Sequence, residues 1–255
     1  MSTRPALIRR ATDAGVNRAT TLAAVLRDLD LGAVVGDYEQ YVVAAPSRGA
    51  DGHAYFVHRA GAPSSGTPTN RREEHLAMAL ANEGASLAAG AETANVLAYA
   101  FPLFSSGPSA GVRGVDLVGH SSDTERFWVI ELKVAQSAGR GDSPLRALFE
   151  VLIYSAVVEA NQDYISRELG DRYGRTWSQR RPGMVVAAPS AYWKRWAPSR
   201  RTGDWWSEFA RAVGELSARF ETPIAILDIG DVDFESGVGA RPHLRGQVEC
   251  RRVSY

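Results

Sequence analysis

Apolar positions recur along this chain with two different periods. Between residues 5 and 31, Leu7, Ile8, Ala11, Val16, Leu22, Val25, Leu26 and Leu29 fall at helical spacings. They predict one or two short helices, followed by a turn near Leu31-Gly32. Tyr38 to Ala45 and His53 to Arg59 read as strands of a hairpin around Pro46-Ser47-Arg48-Gly49. Residues 60–69 are a Gly/Pro/Ser/Thr stretch and mark a boundary. The run NRREEHLAMALANEG then predicts a helix, with Asn70 as its cap, Gly84 at its end, and Leu76, Ala77, Leu80 and Ala81 as its apolar stripe.

The second half is richer in strand signals. Residues 95–104 predict a strand ending near Pro102. Val115 to Gly119 and Phe127 to Val134 predict two more, joined by the polar turn Ser121–Arg126. Ser143 as N-cap and Pro144 at the first helical position open a strong helix. Gly183–Ala188 and Pro223–Ile229 are buried-strand patterns, and a helix over Trp205–Phe220, begun by Asp204 or Thr202, separates them. Strand, helix, strand argues for a parallel extension of the sheet. From residue 70 the order is helix, three strands, helix, strand, helix, strand, and the tail after Gly230 predicts edge strands or loops. The class is α/β, divided at 1–65 and 66–255. The first part is either a winged-helix-like unit or ordinary packing around the core.

Charge inside the central hairpin changes the picture from fold to chemistry. Asp116, Glu131 and Lys133 lie within apolar strands. Side chains alternate along a strand, so Glu131 and Lys133 share a face, while Trp128, Ile130 and Leu132 take the other. Antiparallel pairing can bring Asp116 onto the Glu131 side. Buried charges need internal compensation or a metal ion. Two carboxylates with the Leu132 carbonyl suit Mg²⁺ (or Mn²⁺), a hard cation that prefers oxygen. Lys133 could then orient a water or stabilise charge on a phosphate. The alternative is a buried ion pair without chemistry.

Composition bears on that choice. Of 29 Lys and Arg residues only Lys133 and Lys194 are lysine, so a compact ammonium stands where this chain otherwise uses arginine. Net charge is zero, which leaves any nucleic-acid surface to local clustering. The single Cys250 precludes an internal disulfide and fits a reducing cytoplasm. The first residues lack the apolar core of a signal peptide, and no run approaches the ~20 apolar residues of a membrane span, so a cytoplasmic location is expected. No GxxxxGK[ST] phosphate loop or zinc-spaced Cys/His pair occurs.

Asp116 and the Glu131-Leu132-Lys133 tripeptide resemble the motif of the PD-(D/E)XK nuclease superfamily, with Val115 where the name-giving proline would stand. The resemblance covers about residues 70–230. It implies a restriction-endonuclease-like αβββαβ core with a mixed sheet, an appended αβ unit, and an N-terminal α+β segment. It implies a Mg²⁺-dependent nuclease with Asp116, Glu131 and the Leu132 carbonyl on the metal and Lys133 at the water, leaving a 5′-phosphate. Members often carry a further glutamate on the preceding helix, which points to Glu73, with Glu74 close behind. RecB-like members carry a Gln-x-x-x-Tyr pair after the motif lysine. Glu150 and Tyr154 match its spacing, with Glu replacing Gln, and Arg146 shares their helix face. Gln136 lies three residues past Lys133, either beside the site or as a solvated loop amide.

Residues 165–201 hold nine basic residues against Glu168 and Asp171, with Trp177, Trp193 and Trp196 interleaved. Arg180, Arg181, Lys194, Arg195, Arg200 and Arg201 are the candidates for DNA contact, with RNA as the other possible polymer. Three functions remain open: a DNA nuclease of restriction, defence or repair type, an inactive nucleic-acid-binding module on the same scaffold, and a structural protein. No membrane partner is expected. A homodimer or a partner protein from the same system fits the first two.

Overall fold

The structure is a computed structural model and describes residues 5–58, 61, 63, 72–105, 114–135, 141–199, 202–235, 239 and 241–254. Three helices come first: α1 (Ala6–Thr12), α2 (Leu22–Arg27) and α3 (Leu31–Ala44). The predicted hairpin is not formed. Residues 38–44 belong to α3, residues 53–58 form no strand, and the predicted turn at Leu31 is the start of that helix. Asp30 caps it by accepting the Ala33 N–H at 3.0 Å. Leu31, Val34, Tyr38 and Tyr41, spaced by three and four, form its buried face. The described part of the N-terminal segment is thus helical rather than α+β. It shares one apolar cluster with the long helix that follows the central strands.

Helix α4 (Arg72–Asn82) buries a continuous run from His75 to Ala81. Gly84, at φ +58°, ends it, and the Ala85 N–H returns to the Leu80 carbonyl at 2.9 Å. Asn70, its predicted cap, lies outside the described residues. Four strands follow rather than three: β1 (Ser86–Ala89), β2 (Glu92–Pro102), β3 (Gly114–Ser121) and β4 (Arg126–Leu132). Next come α5 (Pro144–Ala160), α6 (Gln162–Tyr173), β5 (Gly183–Ala188), α7 (Ser190–Trp196), α8 (Trp205–Phe220) and β6 (Ile224–Asp228). The tail contributes the short strands β7 (Phe234–Glu235), β8 (His243–Leu244) and β9 (Arg251–Arg252).

The strands form one mixed sheet in the order β1-β2-β3-β4-β5-β6-β9. The first four run antiparallel as a meander, and β4-β5-β6 are parallel, as strand-helix-strand crossovers require. Both faces are covered. Phe127, Val129, Met184 and Val186 lie in the cluster shared with α1, α3, α5 and α8. Trp128, Ile130, Leu132 and Val185 lie in a second cluster with α4. A sheet buried on both sides explains why β4 and β5 read as continuous apolar runs. Charged side chains at the end of β4 therefore stand inside the molecule.

Candidate metal centre

The centre forms where β3 and β4 part. Their pairing runs from Ser121↔Arg126 to Leu117↔Ile130. Beyond that pair the Asp116 carboxylate takes the place of a backbone acceptor and receives the Leu132 N–H at 2.8 Å. A residue's N–H and C=O point to the same side of a strand, so the Leu132 carbonyl faces the Asp116 side as well. On its other edge β4 stays paired, with the Lys133 N–H on the Ala187 carbonyl at 2.9 Å.

Glu131 and Lys133 share a face of the strand, as alternation predicts, and it is the face that α5 covers. The Lys133 ammonium donates to Glu131 Oε1 and lies 3.0 Å from Glu150 Oε2 and 3.9 Å from Glu73 Oε1. Glu73 comes from the first turn of α4 and Glu150 from the second turn of α5. Carboxylate oxygens of Glu73, Asp116 and Glu131 all lie within 4.8 Å of one another. Ligand oxygens on one octahedral Mg²⁺ stand roughly 3–4 Å apart, so a small closing movement would bring these three onto a common ion.

The electrostatics are those of an under-neutralised pocket. Burial raises the Glu131 carboxyl well above its usual range, and the Asp116 charge beside it adds to the rise. Burial also raises Asp116, against the pull of Lys133 and the Leu132 N–H. Glu73 is pushed up to about 7, first by desolvation and then by the other carboxylates, with Lys133 opposing. Burial alone would lower Lys133, but Glu131, Glu73, Glu150 and Asp116 outweigh it and hold the ammonium charged. Burial likewise works against the Glu150 anion, yet Lys133 and Arg146 prevail and lower its pKa. Glu131 Oε2 is buried and receives no hydrogen bond. Two buried carboxylates side by side need a proton or a cation between them. All of these donors are carboxylate oxygens, so a hard divalent cation fits this set.

The remaining predicted residues separate into groups. Glu74 lies near Tyr99, outside the carboxylate trio. Tyr154 is buried one turn beyond Glu150, and its phenol is held protonated by burial and by Glu131 and Glu150. Arg146 bridges Glu150 at 3.0 Å and Asp142 at 3.0 Å. Gln136, Arg200 and Arg201 lie outside the described residues. Trp177, Trp193 and Trp196 are at most 4% exposed, so they are core side chains and not a platform for bases. Arg181 is turned inward onto Glu159 and Glu39, whereas the Arg180 side chain is 83% exposed. Lys194 and Arg195 occupy the solvent side of α7. His120 is buried in β3, its Nε2 2.7 Å from the Thr176 carbonyl.

Asn17 and Tyr192 were not foreseen. The Tyr192 hydroxyl donates to the Asp142 carbonyl at 2.8 Å, and Asn17 Nδ2 donates to Asp142 Oδ1 at 3.1 Å. No local pattern marks either residue, because each reaches α5 from far along the chain. No helix among the described residues is long and apolar enough to cross a membrane. No family model, no curated protein and no solved structure matches this chain.

Proposed function

We propose that this protein is a divalent-cation-dependent nuclease acting on DNA, built on a restriction-endonuclease-like core. One observation carries the proposal: Glu73, Asp116 and Glu131 converge from three elements at the parting of β3 and β4, with a charged lysine among them. Asp116, Glu131 and Glu73 would hold the ion, and the Leu132 carbonyl faces the same gap. When bound, Mg²⁺ or Mn²⁺ would supply the Lewis acid for a scissile phosphodiester.

The chain's own residues account for the rest. The surrounding carboxylates favour the Lys133 ammonium, which suits it to orient the attacking water and to face the charge that grows on the phosphate. Glu150 keeps that ammonium in place from the α5 side. Glu73 is the outermost of the three acids, its side chain 36% exposed, and marks the side on which the pocket meets solvent.

The test is incubation of supercoiled plasmid, single-stranded DNA and RNA with Mg²⁺ or Mn²⁺. Cleavage by the wild type, lost in Asp116→Asn and Lys133→Ala, is the expected result. Equal, negligible turnover by wild type and Lys133→Ala on every polymer removes catalysis. DNA binding that persists in that case, and in Glu131→Ala, would support the non-cleaving module instead.

A further inference from the structure

Lys133 is the end of a chain of polar contacts that begins in the N-terminal segment, more than a hundred residues away. Asn17 stitches that segment to the start of α5 with both ends of its amide. Its Nδ2 donates to Asp142 Oδ1 at 3.1 Å, and its Oδ1 accepts the Ser143 N–H at 2.6 Å. Ser143, fully buried, reinforces the seam by donating to the Val16 carbonyl at 2.6 Å. Asp142 Oδ1 also takes the Arg146 guanidinium at 3.0 Å. Arg146 Nε donates to Glu150 Oε1 at 3.0 Å. The other Glu150 oxygen lies 3.0 Å from the Lys133 ammonium.

An arginine in the first turn of a helix opposes the positive end of the helix dipole. Arg146 occupies that unfavourable position, and its contacts on both sides are carboxylates. Each of those carboxylates is fixed in turn: Asp142 by Asn17, and Glu150 by Lys133. Such an arrangement restricts the rotamers of every member. Lys133 has a flexible four-carbon stem and a point charge, so it needs external support to hold one position. Glu131 cannot provide it alone, because a cation on Glu131 competes with the ammonium for the same oxygens.

We infer that Asn17, Asp142, Arg146 and Glu150 form a positioning train that sets where the Lys133 ammonium sits, making the N-terminal segment part of the active-site scaffold. The inference rests on the nuclease assignment for its consequence but not for its geometry. Glu150 keeps Lys133 at the pocket when Glu131 turns to a cation. Asn17 fixes the far end, so that α5 cannot rock away from β4. These are positioning residues, since none of their contacts is with the reacting atoms.

The lysine count makes a direct test available. Lys133 and Lys194 are the only lysines, so lysine labelled with ¹³C and ¹⁵N gives two side-chain ε signals, assigned with Lys194→Arg. The full-length wild type, Asn17→Ala and Glu150→Gln are compared, with and without Mg²⁺, after thermal melts establish that each is folded. The expected result is that both variants move the Lys133 signal and leave the Lys194 signal in place. Both also lower kcat on DNA by about 10- to 100-fold, the usual cost of losing a residue that orients a site ligand, with little change in KM. Glu150→Asp, which keeps the charge, restores part of kcat. A Lys133 signal and a kcat at wild-type values in the folded variants would overturn the train. Should the wild type cleave nothing, the nuclease assignment falls, and the lysine signal alone still decides whether the train positions Lys133.

Discussion

Lys133 is surrounded by Glu131, Glu73, Glu150 and Asp116, and that imbalance makes its removal costly. Taking one partner from a buried charge cluster usually costs about 3–5 kcal/mol. Lys133→Ala should lose stability of that order in urea titrations at pH 8 without metal. The loss should shrink at pH 5, where the orphaned carboxylates can take protons, and Mg²⁺ should recover part of it. The acids have their own pH signature. Burial raises Glu73 from its ordinary 4.5 to about 7, and Asp116 and Glu131 move the same way. From about 4.5 to 7 the folded chain therefore holds more protons than the unfolded one, and these groups make metal-free stability fall as pH rises through that window. Cation binding must displace those protons. The apparent Mg²⁺ affinity should climb as pH rises toward 7, by about tenfold per pH unit for each proton displaced. Calorimetry in buffers of different ionisation heat reads both the affinity and the protons released. An affinity independent of pH between 5.5 and 8 would place the ion elsewhere.

Individual elements show where sequence patterns suffice and where they do not. β4 and α5 were legible because local signals agree: an apolar strand with charges at period two, and a Ser-Pro cap before an apolar run. In the structure Ser143 accepts the Arg146 N–H at 3.0 Å and also donates to Val16, so Ser143→Ala should cost about 1–2 kcal/mol, read by thermal melting. The second half of α3 reads as a strand because Tyr38, Tyr41, Val42 and Val43 favour strands locally. Packing of Leu31, Val34, Tyr38 and Tyr41 into the shared core overrides that preference. β1 is only four residues long, and α6 is polar enough to pass for a charged loop. The carboxylate trio was legible because Glu131 and Lys133 follow period two, antiparallel pairing can bring Asp116 to their side, and the resemblance points to Glu73 on the preceding helix. Asn17 was not, since its partners are fixed by tertiary contact alone. Gly183 gives a further case: a Cβ there would lie 2.4 Å from the ring of Trp128, which is fully buried. That ring also donates to Ser121 Oγ at 2.7 Å and cannot swing aside freely. Gly183→Ala should cost about 1–3 kcal/mol or more and alter the near-UV spectrum of the tryptophans.

At the scale of the molecule, the excess positive charge of residues 165–201 divides between two uses. Arg172 donates to the Phe56 carbonyl, and Arg175 donates to Ser122 Oγ at 2.7 Å. Arg181 is the most committed: 3.2 Å from Glu159 Oε2, 3.3 Å from Glu39, and 5.2 Å from the Phe220 ring centre. Tyr38 donates to the same Glu159 at 2.8 Å, so this one arginine links α3, α5 and the end of α8. Arg180 is its opposite, with its nearest carboxylate at 4.0 Å and most of its side chain in water. Neighbouring arginines should therefore behave differently. Arg181→Ala leaves Glu159 buried without its main partner and should cost about 3–5 kcal/mol. Arg180→Ala should leave the unfolding midpoint within about 0.5 kcal/mol of wild type, as a surface ion pair implies. For a nuclease on DNA, Arg180→Ala and Lys194→Ala should instead weaken binding across sequences and flatten the salt dependence by about one counterion each. Fluorescence anisotropy across a salt series measures that slope. A slope unchanged in both variants would remove Arg180 and Lys194 from the DNA path, while leaving the carboxylate centre and its lysine untouched.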